Sequence, residues 1–282
     1  MSNRFSKLEK QQTVRSKMTV CPIIKQKVLV SPLTVGDDLH IRTMVATPEL
    51  YDSELSLMVF NHSKFTDLET QPTYDDFTRN ISHTDRKMIL WAIYVATYAK
   101  IKDAQISCPK CHEQFKQTID VDKLMTDKTV SVWQEDKVFT EYSIKDEFRL
   151  DENTVINFYL KLPTIADHLS LLSGLSSDMM QQNFDRFETI LSRTDELLLS
   201  VAKAEITDDD GTDTFETIDD LRVMFDRYIP IDAQESISDK YDKTFDKYNP
   251  KFTHFCDCPK CKHSFDFNID IETILFKRFL NT

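Results

Sequence analysis

Cys108-Pro109-Lys110-Cys111-His112-Glu113-Gln114-Phe115 and Cys258-Pro259-Lys260-Cys261-Lys262-His263-Ser264-Phe265 decide the reading of this chain. Each is a CxxC turn with a phenylalanine four residues after its second cysteine. Extended without gaps to Asp122 and Glu272, the two stretches share seven of fifteen residues: both cysteines, the proline, the lysine, the phenylalanine, an isoleucine and an aspartate. A tight turn carrying two thiolates presents both sulfurs to one metal ion, and a closed structural site takes four ligands. The flanks fit β-hairpins. From Ser264 to Glu272 apolar Phe265, Phe267, Ile269 and Ile271 alternate with polar residues, the mark of a half-buried strand, while Phe115, Ile119 and Val121 share one parity in the first copy. Ala104–Ser107 and Phe252–Asp257 are short and extended in character on the other side. Bringing both hairpins together predicts one Zn2+ per chain, structural, held by Cys108, Cys111, Cys258 and Cys261 in a zinc-ribbon-like site. The separation of the pairs adds little entropic cost, because loop closure grows only logarithmically with length.

Two other readings of these cysteines stand beside it. A thioredoxin-type CxxC sits at a helix N-terminus, where the dipole lowers a thiol pKa, whereas both pairs here run into strands. A different ligand set would draw on His112, His263 or Cys256, which lie next to the knuckles. Cys256 reads as a buried strand cysteine, the two histidines as exposed neighbours, and Cys21 as an ordinary thiol.

A weaker echo precedes each knuckle. Val28-Leu29-Val30-Ser31-Pro32-Leu33-Thr34-Val35-Gly36-Asp37-Asp38-Leu39 matches Phe158-Tyr159-Leu160-Lys161-Leu162-Pro163-Thr164-Ile165-Ala166-Asp167-His168-Leu169. Each predicts a strand, a capping threonine and a helix. The expected fold is therefore α+β and mainly helical, a two-half internal repeat with each half ending in a zinc-knuckle hairpin. The halves are placed at 26–125 and 150–282, behind a basic arm at 1–25 and joined by a polar connector at 126–149. In that connector Val130, Val132, Trp133, Val138 and Phe139 suggest a short hairpin. The second half carries an apparent insertion at about 204–250, with helices near 217–228 and 232–247. Further helices are predicted at 83–101, 177–202 and 272–281. The last is apolar enough to pack on the zinc hairpins or to form a partner surface.

The chain has 282 residues, 40% of them apolar, enough for a substantial core. Its only glycines are Gly36, Gly174 and Gly211, so no glycine-rich phosphate loop or dinucleotide turn exists. The Asp208-Asp209-Asp210-Gly211 run lacks the first carboxylate of a calcium loop and reads as an acidic turn. His40, His62, His83, His168 and His254 show no spacing suited to a metal or a triad, and a site of four thiolates leaves no open position for catalysis. No segment approaches a membrane span, and the longest apolar run, Met88–Ala96, predicts a core helix. With no secretory signal, the protein is expected to be soluble and intracellular where it is made.

Net charge is -12, which disfavours nucleic acid as the main partner. It is unevenly spread. Residues 1–28 carry seven basic groups against Glu9, a net of +6, leaving -18 on the remainder. The arm reads either as a disordered tail or as a segment that orders on an acidic neighbour.

Three stretches together resemble the baseplate hub protein family of T-even-like contractile-tailed bacteriophages. They are Pro32-Leu33-Thr34-Val35-Gly36-Asp37-Asp38-Leu39-His40-Ile41-Arg42 after the basic arm, the Ile206 to Pro230 segment with its Ile218-Asp219-Asp220-Leu221, and the ending Asn249-Pro250 through Cys261. The likeness spans most of residues 26–282, and the knuckles are its individually specific part. Such proteins often have glycine after the second knuckle; here it is Lys262, so the turn must accept a side chain. The resemblance implies a non-enzymatic structural or assembly protein of the tail baseplate, made in the host cytoplasm, located in the virion and bound to other tail subunits, with no small-molecule substrate or membrane. Two alternatives remain open: a zinc-ribbon nucleic-acid-binding or transcription factor, and a transient tail-assembly chaperone. Asp120, Asp122, Asp266, Asp270 and Glu272 on the hairpins oppose the first. A zinc-dependent hydrolase ranks last.

Overall fold

The computed structural model describes residues 15–43, 48–98, 100–124, 144–149, 153–174, 193–245, 248 and 252–269. The chain begins with strands β1 (Lys17–Val20) and β2 (Lys27–Val30), helices α1 (Val35–Thr43) and α2 (Pro48–Asn61), and strand β3 (Ser63–Phe65). Helices α3 (Tyr74–Asn80) and α4 (His83–Tyr98) follow, then the first knuckle hairpin, β4 (Lys100–Ser107) and β5 (Gln114–Asp120). The order then recurs. Strands β6 (Ile144–Arg149) and β7 (Val155–Leu160) lead to α5 (Ile165–Gly174), α6 (Arg193–Ser200) and β8 (Val201–Asp208). After strand β9 (Gly211–Phe215) come α7 (Ile218–Arg227), α8 (Ile231–Phe245) and the second knuckle hairpin, β10 (Phe252–Asp257) with β11 (Ser264–Ile269).

The middle strand is central in both sheets: β2 lies between β1 and β3, and β7 between β6 and β8, with β9 outside β8. All these pairings are antiparallel. Just past each central strand a main-chain bond ties it to the end of the second helix, Ser31 N to His62 O at 3.0 Å and Lys161 N to Ser200 O at 2.8 Å. Among the described residues only β9 has no counterpart in the first run of elements; the helices of the segment read as an insertion take the same places in the order as α3 and α4.

Five helix starts share one device. Thr34, Thr73, Thr164 and Thr217, and Ser82 before α4, each pair with an aspartate three residues on. The aspartate amide donates to the hydroxyl oxygen, which satisfies an orphan helical N–H. At Thr34 and Thr164, the echo positions of the sequence, and at Thr73, the aspartate carboxylate also accepts from the threonine amide, at 2.6, 2.8 and 3.1 Å.

Two cores form. The first surrounds α4, whose residues Met88–Ala96 are all buried, and takes in β2, Phe65, Phe77, the apolar sides of β4 and β5, and Phe252, Cys256 and Ile269 of the second hairpin. The second lies between the β6–β9 sheet and α6, α7 and α8. Helix α5 serves both, with Ile165 and Leu169 against the first core and Leu171 in the second.

Several expectations need correction. The division at 25/26 falls inside a packed sheet, because Lys17–Val20 forms β1 and Cys21 and Ile23 are buried. The division at 149/150 cuts the β6–β7 hairpin. The helix expected to run to 202 stops at Ser200, where β8 begins. Residues 1–14, the Val130–Phe139 alternation, 177–192 and the 272–281 helix lie outside the described residues. Among the described residues no helix is long and apolar enough to cross a membrane.

Candidate metal centre

Each knuckle is the tip of an antiparallel hairpin, and each is closed by the same two main-chain bonds. Cys108 N donates to Glu113 O at 2.9 Å and His112 N to Cys108 O at 2.9 Å; Cys258 N donates to His263 O at 2.9 Å and Lys262 N to Cys258 O at 3.0 Å. The chain then turns through the left-handed region, at His112 with φ 57° and at Lys262 with φ 58°. That conformation brings a side chain close to its own carbonyl and favours glycine, so both turns carry local strain.

The hairpins bring all four cysteines together. Sγ of Cys108 lies 3.7 Å from that of Cys261, and Sγ of Cys111 lies 3.6 Å from that of Cys258. All four sulfurs fall within 4.8 Å of one another. A tetrahedral zinc with Zn–S bonds of about 2.3 Å has S···S edges of about 3.8 Å, so the donor set fits the ion in type and size. Exchanging the two knuckles maps the first sulfur pair onto the second, a local twofold relationship. Cys108 and Cys258 are fully buried and Cys111 and Cys261 half-exposed. Lys260 Nζ reaches Glu113 Oε2 of the other knuckle at 2.9 Å, and Phe115 meets Phe265 edge-on at 6.5 Å behind the cysteines.

The surroundings move two of the thiols in opposite directions. The Cys261 amide, donating to Cys258 Sγ at 3.5 Å, and then the Lys260 amide bring the Cys258 thiol down to about 7. At Cys111 the Glu113 amide pulls down, but desolvation and the three neighbouring sulfurs push it to about 12. A metal ion bound among the sulfurs would favour their ionised form.

The neighbours of the site differ from expectation in one respect. His112 is exposed, but His263 is half-buried and stacks on Phe265 at 6.1 Å. Cys256 is buried and its thiol donates to His254 O at 3.6 Å. Neither histidine nor Cys256 is part of the four-sulfur group. Cys21 is buried, and desolvation followed by the charge of Asp85 pushes its thiol up, away from nucleophilic chemistry. The Asp208–Gly211 run is a hairpin turn in which the Asp208 carboxylate accepts from the Asp210 and Gly211 amides at 2.8 and 3.1 Å.

No residue spacing signals a second group, which comes from three helices. Asp52 on α2 accepts from Arg86 on α4 at 2.7 Å and pairs with His168 on α5 at 3.2 Å. His83 packs edge-on against His168 at 4.3 Å, with Nδ1 3.2 Å from the Arg86 guanidinium. The Asp52, His83 and His168 ligand atoms lie within 4.8 Å of one another. Arg86, however, already neutralises Asp52, and burial followed by the Arg86 and His168 charges pushes His83 well below the usual histidine range. The group is an ion-paired clasp between α2, α4 and α5.

The family described as T4 bacteriophage base plate protein matches residues 14–277. No curated protein and no solved structure matches the chain.

Proposed function

Because the chain belongs to the T4 bacteriophage base plate protein family, we propose that it is a structural or assembly protein of the hub of a contractile tail baseplate, working by contacts with other tail subunits and without catalysis. The match over residues 14–277 carries this reading. The four-sulfur cluster supports the accompanying reading of a structural zinc ion, one per chain, bound by Cys108, Cys111, Cys258 and Cys261. When bound, the ion supplies a crosslink and charge neutralisation. The residues around it orient the thiolates through the Cys261 amide and keep Cys108 and Cys258 from water.

The chain is also read as a tandem repeat of one unit. The recurring order β-β-α-α-β-α-α-β-β, the central place of β2 and β7, the matching Ser31–His62 and Lys161–Ser200 bonds and the twin threonine caps support it.

Native mass spectrometry of the chain tests the zinc reading: one zinc per chain is expected, and two would mean that each knuckle recruits its own extra ligands. Peptide mass spectrometry of purified phage particles and of partial baseplates tests the role. Presence in particles identifies a permanent part, presence only in partial baseplates identifies an assembly factor, and absence from both sinks the reading.

A further inference from the structure

Besides the knuckle hairpins, the two repeat units meet where α5 docks on the α3–α4 corner, and the two parts of that contact each recur once with apolar side chains exposed. Between α3 and α4, Ile81 and Ser82 form a corner that receives the N-terminal end of α5. Ser82 and Thr164 make an antiparallel bridge, Ile165 N donates to Ile81 O at 3.0 Å, and His83 N donates to Pro163 O at 3.3 Å. Ile165 is fully buried there, with Leu169 packed beside it.

The repeat gives α5 a counterpart in α1, where Val35 and Leu39 align with Ile165 and Leu169. Both begin with the same Thr–Asp cap. Val35, however, is 78% exposed and Leu39 59%. The α3–α4 corner likewise has its counterpart between α7 and α8, where Tyr228 is 68% and Ile231 69% exposed and Ile218 and Val223 on α7 are also in solvent. These six residues are most of the exposed large apolar side chains among the described residues. They fall on the two parts of the molecule that the internal interface leaves over. The charges complement one another: residues 15–43, from β1 through α1, carry five basic groups against Asp37 and Asp38, a net of +3, whereas residues 205–242, around the α7–α8 corner, hold thirteen carboxylates and three basic groups, a net of -10.

We propose that the α1 face of one copy docks on the α7–α8 corner of a second copy, continuing the internal interface from chain to chain in a head-to-tail manner. Gln234 Nε2 already donates at 3.1 Å to Ile229 O, which stands where Ile81 O does, so that backbone bond is not reproduced and apolar contact with charge steering carries the association. Such an interface uses different patches on the two partners, so it closes as a ring or continues as a stack. The proposal rests on the repeat reading and concerns only this chain; it stands or falls separately from the baseplate role, which is judged on phage particles.

The test is the mass distribution of the purified full chain by sedimentation velocity over a concentration series. Wild type is expected to form oligomers that dissociate as salt rises. Val35→Asp and Ile231→Asp, each in solvent and each checked by circular dichroism, are expected to be monomeric alone. Mixed in equal amounts they are expected to form a one-to-one dimer and nothing larger, through the one intact surface left on each. A wild type that stays monomeric, or oligomers that survive both substitutions, overturns the proposal. Variants that fail to pair when mixed also overturn it, since that is the mark of a self-complementary interface.

Discussion

The rings of Trp91 and Phe252 lie 4.1 Å apart, centroid to centroid, and both side chains are buried. Trp91 belongs to α4 and Phe252 to the second knuckle hairpin, so that hairpin is seated in the first core by packing as well as by its cysteines. Phe252→Ala is expected to cost about 3–5 kcal/mol. It should also shift Trp91 fluorescence to the red, since water enters beside the indole. Denaturant unfolding followed by fluorescence checks both.

Cys108→Ser and Cys258→Ser, on different knuckles, are each expected to lose the same single zinc. Either loss should lower the thermal midpoint about as far as chelator treatment lowers that of wild type. Chelator should then have little further effect on the variants. Retention of zinc by either variant would refute a shared site, and native mass spectrometry with a thermal melt reads the outcome.

Lys262→Gly and His112→Gly are expected to stabilise the zinc-bound protein by about 0.5–1 kcal/mol each, because both positions have positive φ and neither side chain is buried. Lys262→Val is expected to destabilise it by about 1–2 kcal/mol. Equilibrium unfolding at fixed free zinc separates the three.

Asp52 and Arg86 form a buried pair. Burial alone would raise the Asp52 carboxyl, but the Arg86 charge outweighs it and holds that group well below the usual carboxylate range. Arg86→Ala, which strands the aspartate, is expected to cost about 3–5 kcal/mol. The double replacement of Arg86 and Asp52 by apolar residues should cost less than the sum of the single changes, and a double-mutant cycle reads the coupling.

Asp85 behaves in the opposite sense. Fully buried, it is raised to about 6 by desolvation, against the amides and the Ser82 hydroxyl that favour its charge. The folded protein therefore holds a proton that the unfolded chain has released, and stability rises as pH falls through 6 towards the unfolded value. The stability difference between wild type and Asp85→Asn is expected to move in favour of wild type by about 1 kcal/mol between pH 7 and pH 5. Comparing the two chains cancels the pH dependence of the four cysteines.

What could be read from the sequence follows from how local each signal is. The knuckle hairpins, α4 and the Thr34 and Thr164 helix starts were legible because turn, periodicity and cap lie within a few residues of one another. Strand β1 was not: Lys17-Met18-Thr19-Val20 is short and sits in a basic stretch, and only its pairing with β2 makes it a strand. The end of α6 was overrun because Leu197-Leu198-Leu199 followed by Val201-Ala202 is apolar throughout, and periodicity alone cannot find the switch from helix to strand. The Asp52, Arg86, His83 and His168 clasp draws on three helices and leaves no spacing to detect. The meeting of the four sulfurs was legible because metal chemistry demands four donors where each turn offers two.

The separation of the two knuckles also sets a timetable for synthesis. Cys108 leaves the ribosome 150 residues ahead of Cys258, a wait of roughly 8–30 s at ordinary elongation rates. For that interval the first turn holds half of a coordination sphere. In the zinc reading metal capture is a late event that reports that the nascent polypeptide has been read through its second knuckle, and a prematurely terminated product is left with one thiol pair of the two.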